Sequence, residues 1–417
     1  MKTALFYFFI VSLCSKITYG LEGTTDLEKK LFDTSQELGA LQNQIEEKKS
    51  EIYSSYSKYY PTLNVVTGWA QNKTDDFSTT ASGYQKGYLG YIDGQLNLFN
   101  GFKSKFISDQ KQIDFEIASL HFEQKKRALK SELTEIISNM ILIHKYQDIL
   151  AEEYKVTQSQ KQMAFKKVAA GLTGQVDNLE MDLRESEIKI ELAQIRQQHV
   201  EAHENLRKIF GSNIEDSELS QAEFSPFKNE NLGIKSNQLL TVENTIQLKL
   251  VTLLKNKSIL EKKEAQSDFL PTLDFMYSLG RLSPQEDQPL KLNEYKYGIT
   301  LTIPLFSGFE TFYKTKAANF KINQSEKEQL QIQYDVTAEY NILKQKKYEL
   351  ADLFQINEIK LQQLQKYFNL TVSEYKKGLK NSPDVVSATE RFFSAKKKRY
   401  EILKQIELTQ VKIENLF

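Results

Sequence analysis

The sequence predicts a mainly α-helical fold with a small β part, built as a tandem internal repeat: long helical hairpins joined to four β-strands of membrane-crossing length. Three observations predict it. One set of short motifs occurs twice at nearly constant spacing; two runs of 69 residues, 102–170 and 309–377, contain neither Gly nor Pro; and period-two apolar alternation precedes each run.

The repeat comes first, because it governs every local reading. Leu98-Phe99-Asn100-Gly101-Phe102 is matched by Leu305-Phe306-Ser307-Gly308-Phe309. The next glycines are Gly171 and Gly378, followed by Leu172 and Leu379 and then by Asp177 and Asp384. Between Gly101 and Asp177 the copies hold an offset of 207 residues. Upstream, Tyr60-Pro61-Thr62-Leu63 and Leu270-Pro271-Thr272-Leu273 stand 210 apart. Pro61, Gly101, Pro271 and Gly308 thus mark equivalent junctions between helices and strands.

Taken in order, residues 1–20 read as a secretory signal, with Lys2, an apolar core from Ala4 to Cys14, and Thr18-Tyr19-Gly20 as the cleavage site. Val11-Ser12-Leu13-Cys14 has the outline of a lipoprotein box, but bulky Leu13 argues against lipid attachment. Cys14 is the only cysteine, so the mature chain would hold no disulfide, thiolate metal site or cysteine nucleophile. Residues 21–210 form the first repeat (helix, β-hairpin, long helix, helix), 211–237 a polar linker, and 238–417 the second repeat.

The strands alternate cleanly. Tyr295, Tyr297, Ile299, Leu301, Ile303 and Leu305 share one face; so do Leu273, Phe275, Tyr277 and Leu279; Leu63, Val65 and Trp69; and Tyr88, Ile92, Leu96 and Leu98. Strands of roughly ten residues suit a tilted membrane barrel, although a soluble hairpin packed on a helix gives the same alternation. The polar stretches from Gln71 to Lys86 and from Pro284 to Asn293 read as loops. Four strands cannot close a barrel, and open edges are not tolerated in lipid. In a membrane, several chains must therefore share one barrel; three would supply twelve strands.

Each breaker-free run would span roughly 100 Å as a helix. Ile113, Ile117 and Leu120, and then Leu129, Leu133, Ile136 and Met140, recur at helical spacing with charged residues between. Shorter helices are expected at about 26–58 and 173–210. An extended coiled coil is the plain alternative.

Composition closes off other classes. Charged residues are 26% of the chain, net charge is zero and mean hydropathy is −0.49, so nothing electrostatic argues for nucleic acid. Beyond the signal no run of 18 apolar residues exists. His199 and His203 stand at i, i+4, but no third metal ligand is suggested. No phosphate loop, nucleophile elbow or zinc motif appears. No catalytic, cofactor or metal site is therefore assigned, and no enzyme is expected.

The paired Pro-Thr-Leu strand openings, the Leu-Phe-x-Gly turns and the Gly-Leu-x5-Asp turns resemble the TolC family of outer-membrane efflux proteins, over essentially the whole mature chain. That resemblance implies a homotrimer in the outer-membrane lipid of a Gram-negative bacterium, with a shared twelve-stranded β-barrel and an α-helical barrel in the periplasm. It also implies a periplasmic adaptor (membrane fusion protein) and an inner-membrane pump or ABC transporter as partners, in efflux or type I secretion. The tips Gly171, Leu172, Gly378 and Leu379 would dock the adaptor. Carried onto this chain, the periplasmic gate would comprise Asp177, Tyr375, Lys380 and Asp384. Asp177 is the acceptor that Tyr375 and Lys380 reach, and Asp384 a pore-lining carboxylate that would bind cations as a ring. Lys380 replaces a familiar arginine, losing the bidentate fork, and Ser387 stands where a second acid is usual. The competing reading is a secreted periplasmic coiled-coil protein without a pore.

Overall fold

A computed structural model describes residues 25–75, 82–211, 245–285 and 294–417. The expected signal segment with Cys14, all but the first residue of the expected linker at 211–237, Pro226 and Pro289 lie outside the described residues. The elements run α1 (Thr25–Thr34), α2 (Gln36–Ser55), a 3-10 turn (Tyr56–Tyr59), β1 (Thr62–Asp75), β2 (Ser82–Asn100), α3 (Lys103–Ala169) and α4 (Val176–Phe210) in the first repeat. The second holds α5 (Ile246–Ser267), β3 (Thr272–Gln285), β4 (Glu294–Thr302), α6 (Glu310–Lys376) and α7 (Ser382–Leu416). The chain divides into two compact units, each drawing on both repeats: one from Met1–Gln36, Lys125–Leu240 and Ala338–Phe417, the other from Glu37–Gln124 and Thr241–Thr337.

The sheet belongs to the second unit. Its strands form one antiparallel meander in the order β1-β2-β3-β4, with β2 and β3 joining the two repeats. The register aligns the apolar alternation of all four strands. Val65 faces Ile92, Ile92 faces Leu279, and Leu279 faces Tyr295, while Phe275 faces both Leu96 and Ile299. Directly opposed residues share a face of the sheet, so the aromatic and aliphatic side chains collect on one side. Leu63, Val65, Trp69, Tyr295, Tyr297 and Ile299 are all exposed there, Val65 at 79%. The opposite face carries Val66, Tyr91 and Met276 among mostly polar residues and is internally bonded. Asn97 Nδ2 donates to Asp274 Oδ1 at 2.8 Å, and Ser278 Oγ donates to Asp93 Oδ1 at 2.9 Å.

The strands differ from the sequence expectation in length. β1, β2 and β3 run 14, 19 and 14 residues, because backbone pairing continues into the polar segments read as loops, and β3 passes through Pro284. β4 stops at Thr302, nine residues long. The alternating residues Ile303 and Leu305 fall beyond it, since Pro304 has no N–H to give the ladder.

Each hairpin returns to a helix through two successive left-handed residues, Gly101-Phe102 and Gly308-Phe309, with φ between +64° and +66°. Edge-to-face packing at 5.3 Å, Phe99 on Phe102 and Phe306 on Phe309, holds both phenylalanines in that costly conformation. The two copies differ in surroundings. A Cβ on Gly101 would stand 2.8 Å from Ser267 O and 2.9 Å from Leu270 Cβ, whereas one on Gly308 would meet nothing within 4 Å.

In the first unit, the stripe Leu129, Leu133, Ile136 and Met140 of α3 is buried as its spacing predicts. The expected helix at 26–58 is interrupted. The break falls at Ser35, whose N–H still bonds to the Leu31 carbonyl at 3.0 Å, and α2 begins after it. Among the described residues, no helix is long and apolar enough to cross a membrane.

Candidate functional site

In the first unit, α3 with α4 and α6 with α7 form two helical hairpins. Both long helices end in the same Schellman motif. Leu172 N–H bonds to Lys167 O at 2.9 Å and Gly171 N–H to Val168 O at 3.0 Å; Leu379 to Glu374 and Gly378 to Tyr375 repeat this at 3.0 Å each. The motif places an apolar residue just beyond the glycine, yet Leu172 and Leu379 are 74% and 72% exposed. Two uncovered leucines thus stand at equivalent tips.

Behind the tips the hairpins are joined. Tyr375 is fully buried in a cluster with Ala164, Met181, Val385 and Val386, drawn from all four helices. Its hydroxyl lies 3.1 Å from Ser382 Oγ, also buried. The Ser382 backbone N–H donates to Asp177 Oδ1 at 3.5 Å. Asp177 thus lies in the first turn of α4 while accepting from the first residue of α7, where two positive helix ends favour a carboxylate. Lys167, from α3, donates its Nζ to the Tyr375 carbonyl oxygen and stands 3.6 Å from the Tyr375 ring centroid. Burial pushes the Lys167 ammonium below its ordinary pKa, with Asp177 pulling it back up. Burial also raises the Tyr375 phenol, and Asp177 adds to that shift.

The expected pairing is therefore altered in two places. Tyr375 and Asp177 meet through Ser382, not by a direct bond. Lys380 does not reach Asp177: it lies in the exposed turn, and its Nζ is 4.0 Å from Asp384 Oδ2, one turn onward. Lys167 occupies the cationic position instead. No local pattern signals this, because Lys167 follows another lysine at the end of a charged helix and only the packing of the two hairpins sets it over Tyr375. Asp384 is committed locally. It closes a capping box, accepting from Asn381 N–H at 3.4 Å while Asn381 Oδ1 accepts from Asp384 N–H at 3.2 Å. It is partly exposed, so capping leaves part of the carboxylate open to solvent.

About five turns behind the tip along α3 lies a second tie the sequence did not reveal. Glu153 of α3, with no exposure, accepts from Arg184 of α4 through Nη2; Arg184 also bonds Glu187 at 2.8 Å and approaches Glu390 of α7 at 3.1 Å. Burial pushes the Glu153 carboxyl up while Arg184 pulls it down. Removing one partner of such a pair costs more than the pair contributes, because the other is left buried and charged.

The histidines also group unexpectedly. His144 on α3 brings its Nε2 to 3.2 Å from His199 Nε2, and the His199 and His203 rings stand 4.7 Å apart. The pair seen at i, i+4 has a third imidazole beside it.

A protein-family model described as outer membrane efflux protein matches residues 29–212 and 261–417. Among solved structures, the CmeC outer membrane channel of Campylobacter jejuni matches with a TM-score of 0.79 at 13% identity, over 95% of this chain and 85% of that one. A membrane protein of Pseudomonas aeruginosa matches at 0.80 and 14%, over 95% and 90%. The outer membrane protein VceC of Vibrio cholerae matches at 0.78 and 12%, over 94% and 95%. At such identities these likenesses show the fold. A search of curated protein sequences finds no match.

Proposed function

We infer the function from one premise: the chain belongs to the outer membrane efflux protein family. Membership places it among outer-membrane efflux channels and not among enzymes. The finer reading is our own. Three copies form a shared twelve-stranded barrel in outer-membrane lipid, their helical hairpins extend into the periplasm, and substrates arrive from a periplasmic adaptor and an inner-membrane pump or ABC transporter.

The sheet carries this reading. Its apolar face is uncovered, and its outer strands β1 and β4 each have one neighbour. In water such a face and such edges invite aggregation; in lipid the face is satisfied, and a second copy satisfies the edges. Repeat symmetry indicates how. Gly101 is packed by the Ser267 to Leu270 turn of the following repeat, and Gly308 has an empty slot at the same φ. The equivalent turn, at the end of the Tyr53 to Tyr60 segment, exposes its tyrosines and would fill that slot in a second copy. Leu305 beside it is 92% exposed, and Phe306 74%. Exposed stripes on α4 (Val176, Leu179, Leu183) and α6 (Ile356, Ile359, Leu370) fit contacts between neighbouring copies in the same way.

The purified chain is expected to run as a trimer by mass measurement in detergent. A folded monomer as the only species would reject the shared barrel.

In this reading Leu172 and Leu379, with Gly171 and Gly378 beneath them, are the knobs that enter an adaptor groove. Exchanging both leucines for Asp is expected to abolish export, read as accumulation of a fluorescent substrate, while trimer and membrane insertion persist. Undiminished export by that double variant would leave the leucines as simple helix ends.

The gate proposed is the Tyr375–Ser382–Asp177 chain with Lys167 over it, and Lys380 and Asp384 at its exposed rim. Each link ties one hairpin to the other near the tips, where helix ends are least restrained.

A further inference from the structure

We propose that α6 of one copy and α2 of the next form the seam between chains, selected by two ion pairs of reversed polarity. These are Glu310 with Lys58 of the next copy, and Lys321 with Glu47 of the next copy. The proposal rests on the shared-barrel reading and names the surface that closes the ring.

The second unit already holds one such seam within a single chain. α3 meets α5 through Lys103 with Asp268 at 2.7 Å, Asp114 with Lys257 at 2.6 Å, and Gln110 with Glu264 at 2.7 Å. On its other side α3 meets α2, Lys111 with Glu51 at 2.8 Å. α6 meets α5 in the same way, Lys321 with Glu261 at 2.5 Å and Glu326 with Lys255 at 3.1 Å. These pairs order the helices α2-α3-α5-α6, as the strands are ordered β1-β2-β3-β4. Among the described residues of this unit, they set a short helix on both sides of α3 and on one side of α6.

The repeat identifies the neighbour for the other side of α6. The offset of 207 carries Lys103 and Asp114 onto Glu310 and Lys321. The offset of 210 carries Asp268 onto Lys58, in the turn after α2, and Lys257 onto Glu47. Every charge changes sign, and each pair stays complementary. Gln110 with Glu264 becomes Ala317 with Ser54, two small uncharged residues. Burial follows the same division. Lys103, Asp114, Lys257 and Asp268 are half-buried, whereas Glu310, Lys321, Glu47 and Lys58 are exposed. Phe106 and Ile113 on α3 are half-buried, while their counterparts Tyr313 and Phe320 on α6 are 62% and 63% exposed. Local partners leave capacity over. Glu310 has Lys314 at 2.6 Å and Glu47 has Lys48 at 3.6 Å, and the Lys321 ammonium has three donors, of which Glu261 takes one.

The reversal gives the assembly its order. If α3 met α2 of another copy on this face, Lys103 would face Lys58 and Asp114 would face Glu47. If α6 met α5 there, Glu310 would face Asp268 and Lys321 would face Lys257. Like charges set opposite one another exclude wrong partners and fix register. The seam inside a chain and the seam between chains are therefore not interchangeable, and copies join only head to tail, as a closed ring requires.

The test is native mass measurement of the full chain in detergent over a dilution series. Glu310→Lys and Lys58→Glu are each expected to raise trimer dissociation by roughly tenfold or more, since each sets like charges at all three seams. The two together are expected to restore the parent value. Cross-linking reads the same seam independently. A bis-maleimide is expected to join separate chains carrying Glu47→Cys with Lys321→Cys on a denaturing gel. The equivalent pair, Asp114→Cys with Lys257→Cys, is expected to link within one chain and leave its mass that of a monomer; single-cysteine variants set the background. If the parent is trimeric but neither reversal loosens it, or the double reversal stays loose, the seam lies on other faces. Absence of the Glu47–Lys321 link between chains of a trimeric parent has the same meaning, and the shared barrel survives either result. A parent that forms no trimer would overturn both the seam and the barrel reading.

Discussion

A chain carrying Ile299→Arg together with Leu301→Arg is expected to disappear from the outer-membrane fraction, whereas Thr300→Arg, between them, is expected to stay there. All three lie in β4. Ile299 and Leu301 project from the apolar face, opposite Phe275 and Leu273, and are exposed at 65% and 60%; Thr300 faces the polar side, opposite Asp274. An arginine on the lipid face of a barrel costs up to roughly 2–4 kcal/mol at the bilayer midplane and little on the lumen side. Two per chain, tripled in an assembled trimer, would exceed about 10 kcal/mol on that scale, comparable to the whole stability of an ordinary domain. Membrane fractionation with alkaline extraction reads the result. Retention of the double variant with loss of Thr300→Arg would mean that the faces are assigned backwards. Loss of both would mean that β4 tolerates no charge on either side, and the lumen assignment would fail.

That experiment rests on a feature fully legible in the sequence. Period-two alternation in Tyr295, Tyr297, Ile299 and Leu301 depends only on backbone geometry, and so does the three-four spacing of Leu129, Leu133 and Met140 along α3. The repeat made the turns legible too, since Gly101 with Gly308 and Gly171 with Gly378 take the same conformations in both copies. Strand ends were less legible, because ladder pairing past Gln71 or Pro284 is decided by the facing strand and not by the local residue.

The site was half visible. Asp177 and Tyr375 could be singled out by their place in the motif, but Lys167, Ser382 and His144 could not. Each acquires its role by packing against a helix distant in sequence, and nothing in a lysine pair or a lone histidine announces its partner. Lys380 shows the converse. Its position matched a family pattern, yet one turn of local geometry hands it to Asp384.

Asp177→Ala combined with Tyr375→Phe is expected to raise the mean conductance of single channels in planar bilayers several-fold, with trimer and insertion unchanged. Tyr375→Phe keeps the ring in its cluster with Met181 and Val385 and removes only the hydroxyl that meets Ser382. Asp177→Ala removes the acceptor for the Ser382 N–H and the negative charge at two helix ends. Each link contributes roughly 0.5–1.5 kcal/mol net, so the pair amounts to about 1–3 kcal/mol per chain and about 3–9 kcal/mol if three copies open together. Moving an equilibrium from 1:99 to 99:1 takes about 5.5 kcal/mol, within that range. Lys380→Gln separates this geometry from the expectation drawn from family likeness. Its partner is Asp384 at 4.0 Å in a partly exposed turn, an arrangement worth about 0–1 kcal/mol, so conductance should hardly change. Lys167→Gln, by contrast, removes a cation seated on Tyr375 and should open the channel in the same direction as the double variant. If Lys380→Gln opens it while the double variant conducts like the parent, the closed end is held by contacts between copies, and the Tyr375–Ser382–Asp177 chain serves only to pack one hairpin on the other.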